Sequence, residues 1–357
     1  MKIYEPIYNP KKTFLENFNE GPFGDFGDGK VFVNEGELKY KFLGKNVFLP
    51  FGIGAGPIPN SRFVTAAWNK GFDIITLKSV RTDEYPVHST PNILPILNSK
   101  IGEKEMVDGV VEANEYSENL TVANSFGIPS LSPEIWKEET IKTLALKKEG
   151  QILISAFQGT DNGQGFDAYI EDHIKGVKML LECGAEIIEI NLSCPNEGGR
   201  KLVCFNIEDS EKILRAVKAI SGKTPILVKI AYFKDKNLLE KFVERVGPFV
   251  DGIVAINTLG IPVKKQDGTQ AFPGVGRESA GVSGYPIKWA GVEMVKELFK
   301  FRLKYNQTFS IVGVGGVQGI EDYLEYIEAG ADAVLSVAGA MWNPYLAQEI
   351  KQFVNKK

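Results

Sequence analysis

The chain has 357 residues, 43% of them hydrophobic, and carries 41 basic against 45 acidic side chains for a net charge of −4. That is apolar material for one sizeable core in a single domain, 1–357, and a mildly acidic chain with no Lys/Arg cluster among aromatics offers nucleic acid no electrostatic footprint. No stretch approaches the roughly 18 apolar residues of a membrane span, and the opening Met1-Lys-Ile-Tyr-Glu-Pro-Ile-Tyr-Asn-Pro10 lacks a signal-peptide apolar core, so a soluble, cytoplasmic protein is expected.

In chain order, residues 1–45 show no repeat pattern and read as an N-terminal extension. Apolar runs ending in polar or glycine-rich loops then alternate with helix-length amphipathic stretches. The runs predict strands over 47–55, 73–79, 151–157, 186–193, 226–231, 252–258, 309–314 and 333–337. The stretches between them predict helices over 62–70, 166–183, 207–221, 236–245, 287–304, 320–329 and 344–354. Eight strands alternating with seven such helices in this order favour an α/β architecture of the (β/α)8 TIM-barrel class over a doubly wound sheet. Residues 80–133, after the second strand, break the alternation and read as an insertion over the barrel mouth. Within it, Leu120-Thr-Val-Ala-Asn-Ser-Phe-Gly-Ile128 predicts a short strand leading into Asn124, Ser125 and Gly127.

Three cysteines, Cys183, Cys194 and Cys204, are too few and unpatterned for a disulfide framework, and no Cys-x-x-Cys pair offers a metal site. The two histidines, His88 and His173, sit in no motif resembling a metal site or a triad, so no metal is expected and a base would be Cys, Asp, Glu or Lys.

Parallel barrels keep their chemistry at the C-terminal strand ends. There the sequence places Ala55, Gly56, Lys78, Ser79, Asn191, Lys229, Asn257, Thr258, Gly315, Gly316 and Gly339. Lys78 and Lys229 lie inside apolar strands, where burial is costly unless each meets an anion or an electron-rich ring; a buried structural ion pair is the competing reading. The glycines of Val312-Gly-Val-Gly-Gly316 and Ser336-Val-Ala-Gly339 let backbone N–H groups approach a phosphate, although tight turns demand the same residues. Gly313-Val-Gly-Gly-Val-Gln318 is not the dinucleotide fingerprint, since position 318 is Gln. The amides Asn124, Asn191, Asn196 and Asn257, with the Thr258 hydroxyl, suit a flat heterocycle edged with carbonyl and N–H groups. Cys194, between amides after a strand end, has the setting of a general base, whereas Cys183 and Cys204 read as packing.

With these residues in place, the chain resembles the flavin-dependent dihydroorotate dehydrogenases over roughly 51–352. The ordered motifs are Phe51-Gly-Ile-Gly-Ala-Gly56, Thr76-Leu-Lys-Ser79, Asn124-Ser-Phe-Gly127, Asn191-Leu-Ser-Cys-Pro-Asn196, Val228-Lys-Ile230, Ile256-Asn-Thr258, Gly281-Val-Ser-Gly284, Gly313-Val-Gly-Gly316 and Gly330-Ala-Asp-Ala333. The resemblance implies FMN, its phosphate on the Gly315-Gly316 and Gly339-Ala340 backbones, with Lys229 and Lys78 flanking the isoalloxazine and Ala55, Gly56, Ser79, Asn191 and Gly284 completing the cofactor site. It implies dihydroorotate as substrate, its ring held by Lys78, Asn124, Asn191, Asn196, Asn257 and Thr258 and its carboxylate by the Phe126-Gly127-Ile128 backbone. Cys194 resembles the base that removes the C5 proton while hydride leaves C6 for flavin N5, cysteine in this role being a habit of the soluble members.

Two stretches depart from the family. After Lys78 the family usually carries Gly-Asn-Pro-x-Pro-Arg, whereas this chain reads Arg81-Thr-Asp-Glu-Tyr-Pro-Val-His-Ser-Thr-Pro91. Asp267-Gly-Thr-Gln-Ala-Phe-Pro-Gly-Val-Gly276 is more similar to the dihydropyrimidine dehydrogenases that act on uracil and thymine, so a uracil-type enzyme working with a partner is the alternative, and a non-catalytic flavin- or phosphate-binding barrel a third. The electron acceptor stays open among fumarate, a quinone, NAD through a partner subunit and oxygen, as does the choice between a homodimer and an electron-transfer partner.

Overall fold

A computed structural model describes residues 1–193 and 202–356. Eight parallel strands close on themselves: β1 (Phe51–Ile53), β2 (Ile74–Thr76), β3 (Ile152–Phe157), β4 (Ile188–Asn191), β5 (Ile226–Ile230), β6 (Gly252–Ala255), β7 (Ser310–Val314) and β8 (Ala333–Ser336). Each pairs with its neighbours in sequence and β8 returns to β1, which makes the molecule the expected (β/α)8 barrel. The strands read as near-continuous apolar runs because both faces are covered: one set of side chains, including Ile74, Ile154, Leu227, Val254, Val312 and Leu335, fills the barrel, and the other packs under helices.

The helices start where side chains satisfy their first N–H groups. Asn60 accepts from the N–H groups of Arg62 and Phe63 ahead of Ser61–Asn69, Asn206 from Asp209 ahead of Ile207–Ile220, and Asp235 from Asn237 and Leu238 ahead of Lys236–Val246.

Two expectations need correction. The run over 47–55 is divided: Lys45–Val47 pairs antiparallel with Tyr40–Phe42, and only Phe51–Ile53 belongs to the barrel. Phe42 and Val47 of that hairpin pack against the inner cluster and stopper the N-terminal end of the barrel. A helix over Pro133–Leu146, absent from the sequence reading, completes the second strand–helix unit. Its buried positions are Trp136, Thr140 and Thr143, so threonines stand where an apolar stripe would announce a helix.

Two excursions build a second sheet. Ile93–Pro95, Val110–Val111 and Thr121–Asn124 come from the 80–133 segment, and Leu259–Lys264 and Ser279–Gly284 follow β6. Thr121–Asn124 runs antiparallel to Ser279–Gly284 with Asn124 opposite Gly281, so the two excursions hold each other.

Candidate active site

The C-terminal strand ends open into a cavity of about 1270 Å³, counting the space at its mouth. Its wall brings together Ala55, Gly56, Lys78, Ser79, Asn124, Phe126, Ile128, Asn191, Lys229, Asn257, Thr258, Gly284, Gly315, Gly316 and Gly339. These residues come from separate strand ends and from both excursions, so only the closed barrel makes them neighbours.

One end is a cradle of main-chain donors. Gly315 and Gly316 adopt φ of +131° and +73° after β7, and a Cβ at Gly316 would lie 2.6 Å from the Lys288 Cβ. Tyr326 donates its hydroxyl to the Gly315 carbonyl at 2.7 Å, and Ser336 donates its own to the Val317 carbonyl at 2.7 Å. With those carbonyls occupied, the N–H groups of Gly315, Gly316 and Gly339 have no acceptor among the described residues. Ala340, expected in the same cradle, is not part of the wall: its N–H is taken by the Ser336 Oγ at 2.9 Å.

The two lysines differ. Lys229 is 4% exposed, sits opposite Asn191 in the β4–β5 register, and makes no hydrogen bond or close ion pair among the described residues, although its charge acts on the buried Glu189 carboxyl two residues before Asn191. The structural ion pair considered for it is thus not a direct hydrogen-bonded one, and Glu189 is the buried carboxyl that bears on it. Lys78 projects over the rings of Phe126 at 5.1 Å and Phe14 at 5.8 Å, contacts that electron-rich faces favour.

The amides form a fixed edge. The Asn191 Oδ1 accepts from the Ser193 N–H at 3.1 Å and from its hydroxyl at 3.0 Å. Asn257 donates through Nδ2 to the Ser193 Oγ at 3.1 Å and the Ser193 carbonyl at 3.2 Å. Asn124 donates to the Gly281 carbonyl at 3.0 Å. Each amide thus spends one function on the protein, which leaves the Asn191 amino group as donor and the Asn257 and Asn124 carbonyls as acceptors. Gly281 is needed beside Thr258, because a Cβ there would lie 2.4 Å from its hydroxyl.

After Asn124 the chain turns through Gly127 and Ile128 at φ of +77° and +51°. The N–H groups of Phe126, Gly127 and Ile128 have no acceptor among the described residues, and successive N–H groups at such a turn form an anion-binding concavity. Gly127 itself is not part of the wall; the His88 ring packs against it, and a Cβ there would lie 2.4 Å from the His88 Nε2.

Cys194 and Asn196 lie outside the described residues. Of the other thiols, Cys183 and Cys204 are both buried, and burial raises both pKa values, that of Cys204 to about 12, so neither can serve as a base near neutrality. His173 is fully buried, pushed down to about 4 by that burial, and shares its Nδ1 with the Tyr169 carbonyl at 2.8 Å; it belongs to the core. No group of three or more His, Cys, Asp or Glu side chains among the described residues could hold a metal ion.

Sequence reasoning missed the wall supplied by the N-terminal extension. Tyr8, 3% exposed, lines the cavity edge-on to Phe126 at 6.1 Å. Its segment is anchored by the Tyr4 and Ile7 N–H groups, which donate to the Trp342 and Met341 carbonyls at 3.0 and 2.9 Å. Trp342 and Met341 line the same cavity. Read from sequence, 1–45 is only an extension; the aromatic spacing of Tyr4, Tyr8, Phe14 and Phe18 is the one local signal of packing there, and it does not name the target.

The family model described as dihydroorotate dehydrogenase matches residues 109–357. The dihydroorotate dehydrogenase of Dictyostelium discoideum is 29% identical over 364 residues, with 97% of each chain covered. The catalytic subunit of dihydroorotate dehydrogenase B (NAD(+)) from Methanocaldococcus jannaschii is 27% identical over 278 residues, covering 77% of this chain and 78% of the relative. Mitochondrial dihydroorotate dehydrogenase (quinone) of Mus musculus is 26% identical over 332 residues, covering 90% and 76%. The crystal structure of ligand-free DHODH from Eimeria tenella shares the fold at a TM-score of 0.71 and 18% identity, over 92% of this chain and 90% of that one. By its sequence, this chain belongs to the dihydroorotate dehydrogenase family.

Proposed function

We propose that the chain is an FMN-dependent enzyme that oxidises dihydroorotate to orotate, a step of pyrimidine biosynthesis, with Cys194 as the base. The carrying observation is that a single cavity holds a cradle of main-chain donors at Gly315, Gly316 and Gly339 and, separately, a fixed amide edge beside the open N–H groups of 126–128.

The residues present fit FMN. The cavity is large, the glycine N–H groups are free for a phosphate, and Lys229 is a buried cation with no hydrogen-bonded partner among the described residues. Gly315, Gly316 and Gly339 would take the phosphate, and Ala55, Gly56, Ser79, Gly284, Asn191 and Lys229 the ring system. When bound, FMN supplies the acceptor for the hydride that leaves C6 of the substrate.

The remaining work falls to the protein. Asn124, Asn257 and Thr258 orient the dihydropyrimidine by its carbonyl and N–H edge, Asn191 reaches both ring systems, and the Phe126, Gly127 and Ile128 N–H groups hold the carboxylate. Cys194 takes the C5 proton, and Asn196 adds one more amide. Tyr8, Trp342 and the 80–133 insertion wall the site off from water.

Among the described residues no helix is long and apolar enough to cross a membrane, and this reading places a single-domain protein in the cytoplasm. The electrons taken from the substrate would pass on to fumarate, a quinone, oxygen or, through a partner subunit, NAD; light scattering of the purified protein, alone and with candidate partners, separates a homodimer from an assembly with an electron-transfer partner.

The test is the visible spectrum of the purified protein, followed without oxygen after adding dihydroorotate and, separately, dihydrouracil. Bleaching of a flavin band by dihydroorotate alone is expected; bleaching by dihydrouracil alone would shift the reading to a uracil-type enzyme, and absence of a flavin band after FMN is supplied would end it. Cys194→Ser and Cys194→Ala should slow flavin reduction by roughly 100-fold or more, the usual scale for a general base, and unchanged reduction would remove Cys194 from the mechanism.

A further inference from the structure

We propose that Arg277 and Arg81 are positioning residues that provide the positive charge of the carboxylate site without touching the carboxylate, acting through the peptide units that join Ser125 to Phe126 and Gly127 to Ile128. The inference deepens the reading above and rests on it.

Both side chains are buried, Arg277 at 5% and Arg81 at 1% exposure. Arg277 has no acidic partner among the described residues; its guanidinium lies 5.3 Å from the Phe272 ring centre and is otherwise spent on oxygens of neutral groups. Its Nη2 donates to the Ser125 carbonyl at 2.9 Å and its Nε to the Ser125 hydroxyl at 3.0 Å. Arg81 grips the other end of the turn, with Nε to the Ile128 carbonyl at 3.0 Å and Nη2 to the Gly127 carbonyl at 3.4 Å. Between them, the Phe126 carbonyl accepts the His88 N–H at 3.0 Å.

A peptide carbonyl and the next residue's N–H belong to one polar unit. The Ser125 carbonyl shares its unit with the Phe126 N–H, the Phe126 carbonyl with the Gly127 N–H, and the Gly127 carbonyl with the Ile128 N–H. Every carbonyl in this run is therefore occupied by a donor, and every N–H at its other end lacks an acceptor among the described residues. Pro129, which has no N–H, ends the run.

Donation to the oxygen of an amide strengthens donation from its nitrogen, and a cation does so more than a neutral donor. The Arg277 guanidinium, one peptide unit behind the anion position, also attracts it directly. A carboxylate bound straight to a buried arginine would leave that arginine without a partner in the empty site. Here each arginine is held by protein carbonyls rather than by the ligand, so its charge does not depend on the ligand for a partner.

Arg277 also donates to the Ser89, Pro91 and Pro273 carbonyls, at 2.8, 3.2 and 2.6 Å, and so ties the insertion to the loop after β6. A merely structural clamp would weaken every ligand alike; a charge acting through the peptides weakens only the carboxylate. The experiment is a titration of the FMN-loaded protein with orotate and with uracil, read by perturbation of the flavin spectrum, with FMN content and melting temperature as controls on folding. Arg277→Gln is expected to raise the orotate Kd roughly tenfold, the scale of one charge-assisted contact, and to leave the uracil Kd within about twofold. Arg277→Lys, which keeps the charge, should retain the preference for orotate, and it carries the test if the Gln variant does not fold. Equal loss for both ligands in Arg277→Gln, or loss of the preference in a folded Arg277→Lys, overturns the inference. A wild-type protein that does not prefer orotate to uracil overturns the proposed function with it; a wild-type preference that survives in Arg277→Gln overturns only the role of the arginine.

Discussion

The two ends of the barrel each bury a lysine, and they treat it in opposite ways. At the N-terminal end Lys351, 4% exposed, donates to Asp73 Oδ1 at 2.5 Å and Asn34 Oδ1 at 2.6 Å and lies over the Phe48 ring. The second Asp73 oxygen accepts the Leu49 N–H at 2.7 Å, so the network is closed. Burial lifts Asp73 to about 6 against the pull of Lys351, and burial likewise lowers Lys351. At the C-terminal end Lys229, equally buried, makes no hydrogen bond or close ion pair among the described residues, and the one buried carboxyl its charge acts on, Glu189, is pushed by burial toward its neutral form. A buried charge that the protein satisfies is architecture; one that it leaves unsatisfied marks where a ligand completes the structure.

That contrast is broken most forcefully from below. Asp73→Ala strands Lys351 as an uncompensated buried cation and should cost about 3–5 kcal/mol, read from the denaturant midpoint. The flavin affinity of the folded fraction should not change. A variant that keeps its stability and loses FMN instead would mean that the ends are not functionally separate.

Lys229→Met is the mirror experiment at the mouth. Removing a buried charge that no protein group hydrogen-bonds should leave the stability of the ligand-free protein equal or higher, while FMN affinity falls roughly 10- to 100-fold, the worth of one charge-assisted contact. Equilibrium dialysis of FMN beside thermal melting reads both quantities, and a fall in ligand-free stability would assign Lys229 to the core. Gly127→Ala is smaller: the new Cβ would sit 2.4 Å from His88 Nε2 at a φ of +77°. A cost of about 1–2 kcal/mol in stability is expected from the backbone conformation, with weaker orotate binding and unaltered FMN binding.

The barrel was legible because its strands are apolar on both faces and end in punctuated loops, a signal that survives without tertiary context. Helix Pro133–Leu146 was not, since Thr140 and Thr143 occupy its buried face and are apolar only by their methyl groups. The strand-end residues could be assembled from sequence because closure of a barrel sends every strand end to one rim. Tyr8 could not, as its place beside Phe126 depends on pairing with Met341 and Trp342 more than three hundred positions away. Arg277 was equally hidden: nothing local marks an arginine that will bind the Ser125 carbonyl, 152 positions away and brought beside it by the pairing of Ser279–Gly284 with Thr121–Asn124. Cys194 and Asn196 are proposed from the chemistry of the run that contains them, and they lie outside the described residues.

Glu189 sharpens the comparison with the smallest effect. It lies on β4 two residues before Asn191, faces Leu227 and Ala156 in the register, is fully buried, and neither carboxyl oxygen has a hydrogen-bond partner among the described residues. Burial pushes its pKa up, with the charge of Lys229 opposing. A carboxyl whose folded pKa lies above its ordinary 4.5 keeps a proton that the unfolded chain releases, so its burial weakens the fold progressively as pH rises from about 4.5 through the folded value. Glu189→Gln removes that titration. The variant should match the parent near the acid end of the range and exceed it by about 1 kcal/mol on the alkaline side, the ordinary scale of a point change, in urea midpoints taken across the pH range. Parallel profiles would instead show Glu189 ionised in the folded state with Lys229 as its counter-charge, and the mouth of the barrel would then be as closed electrostatically as the base.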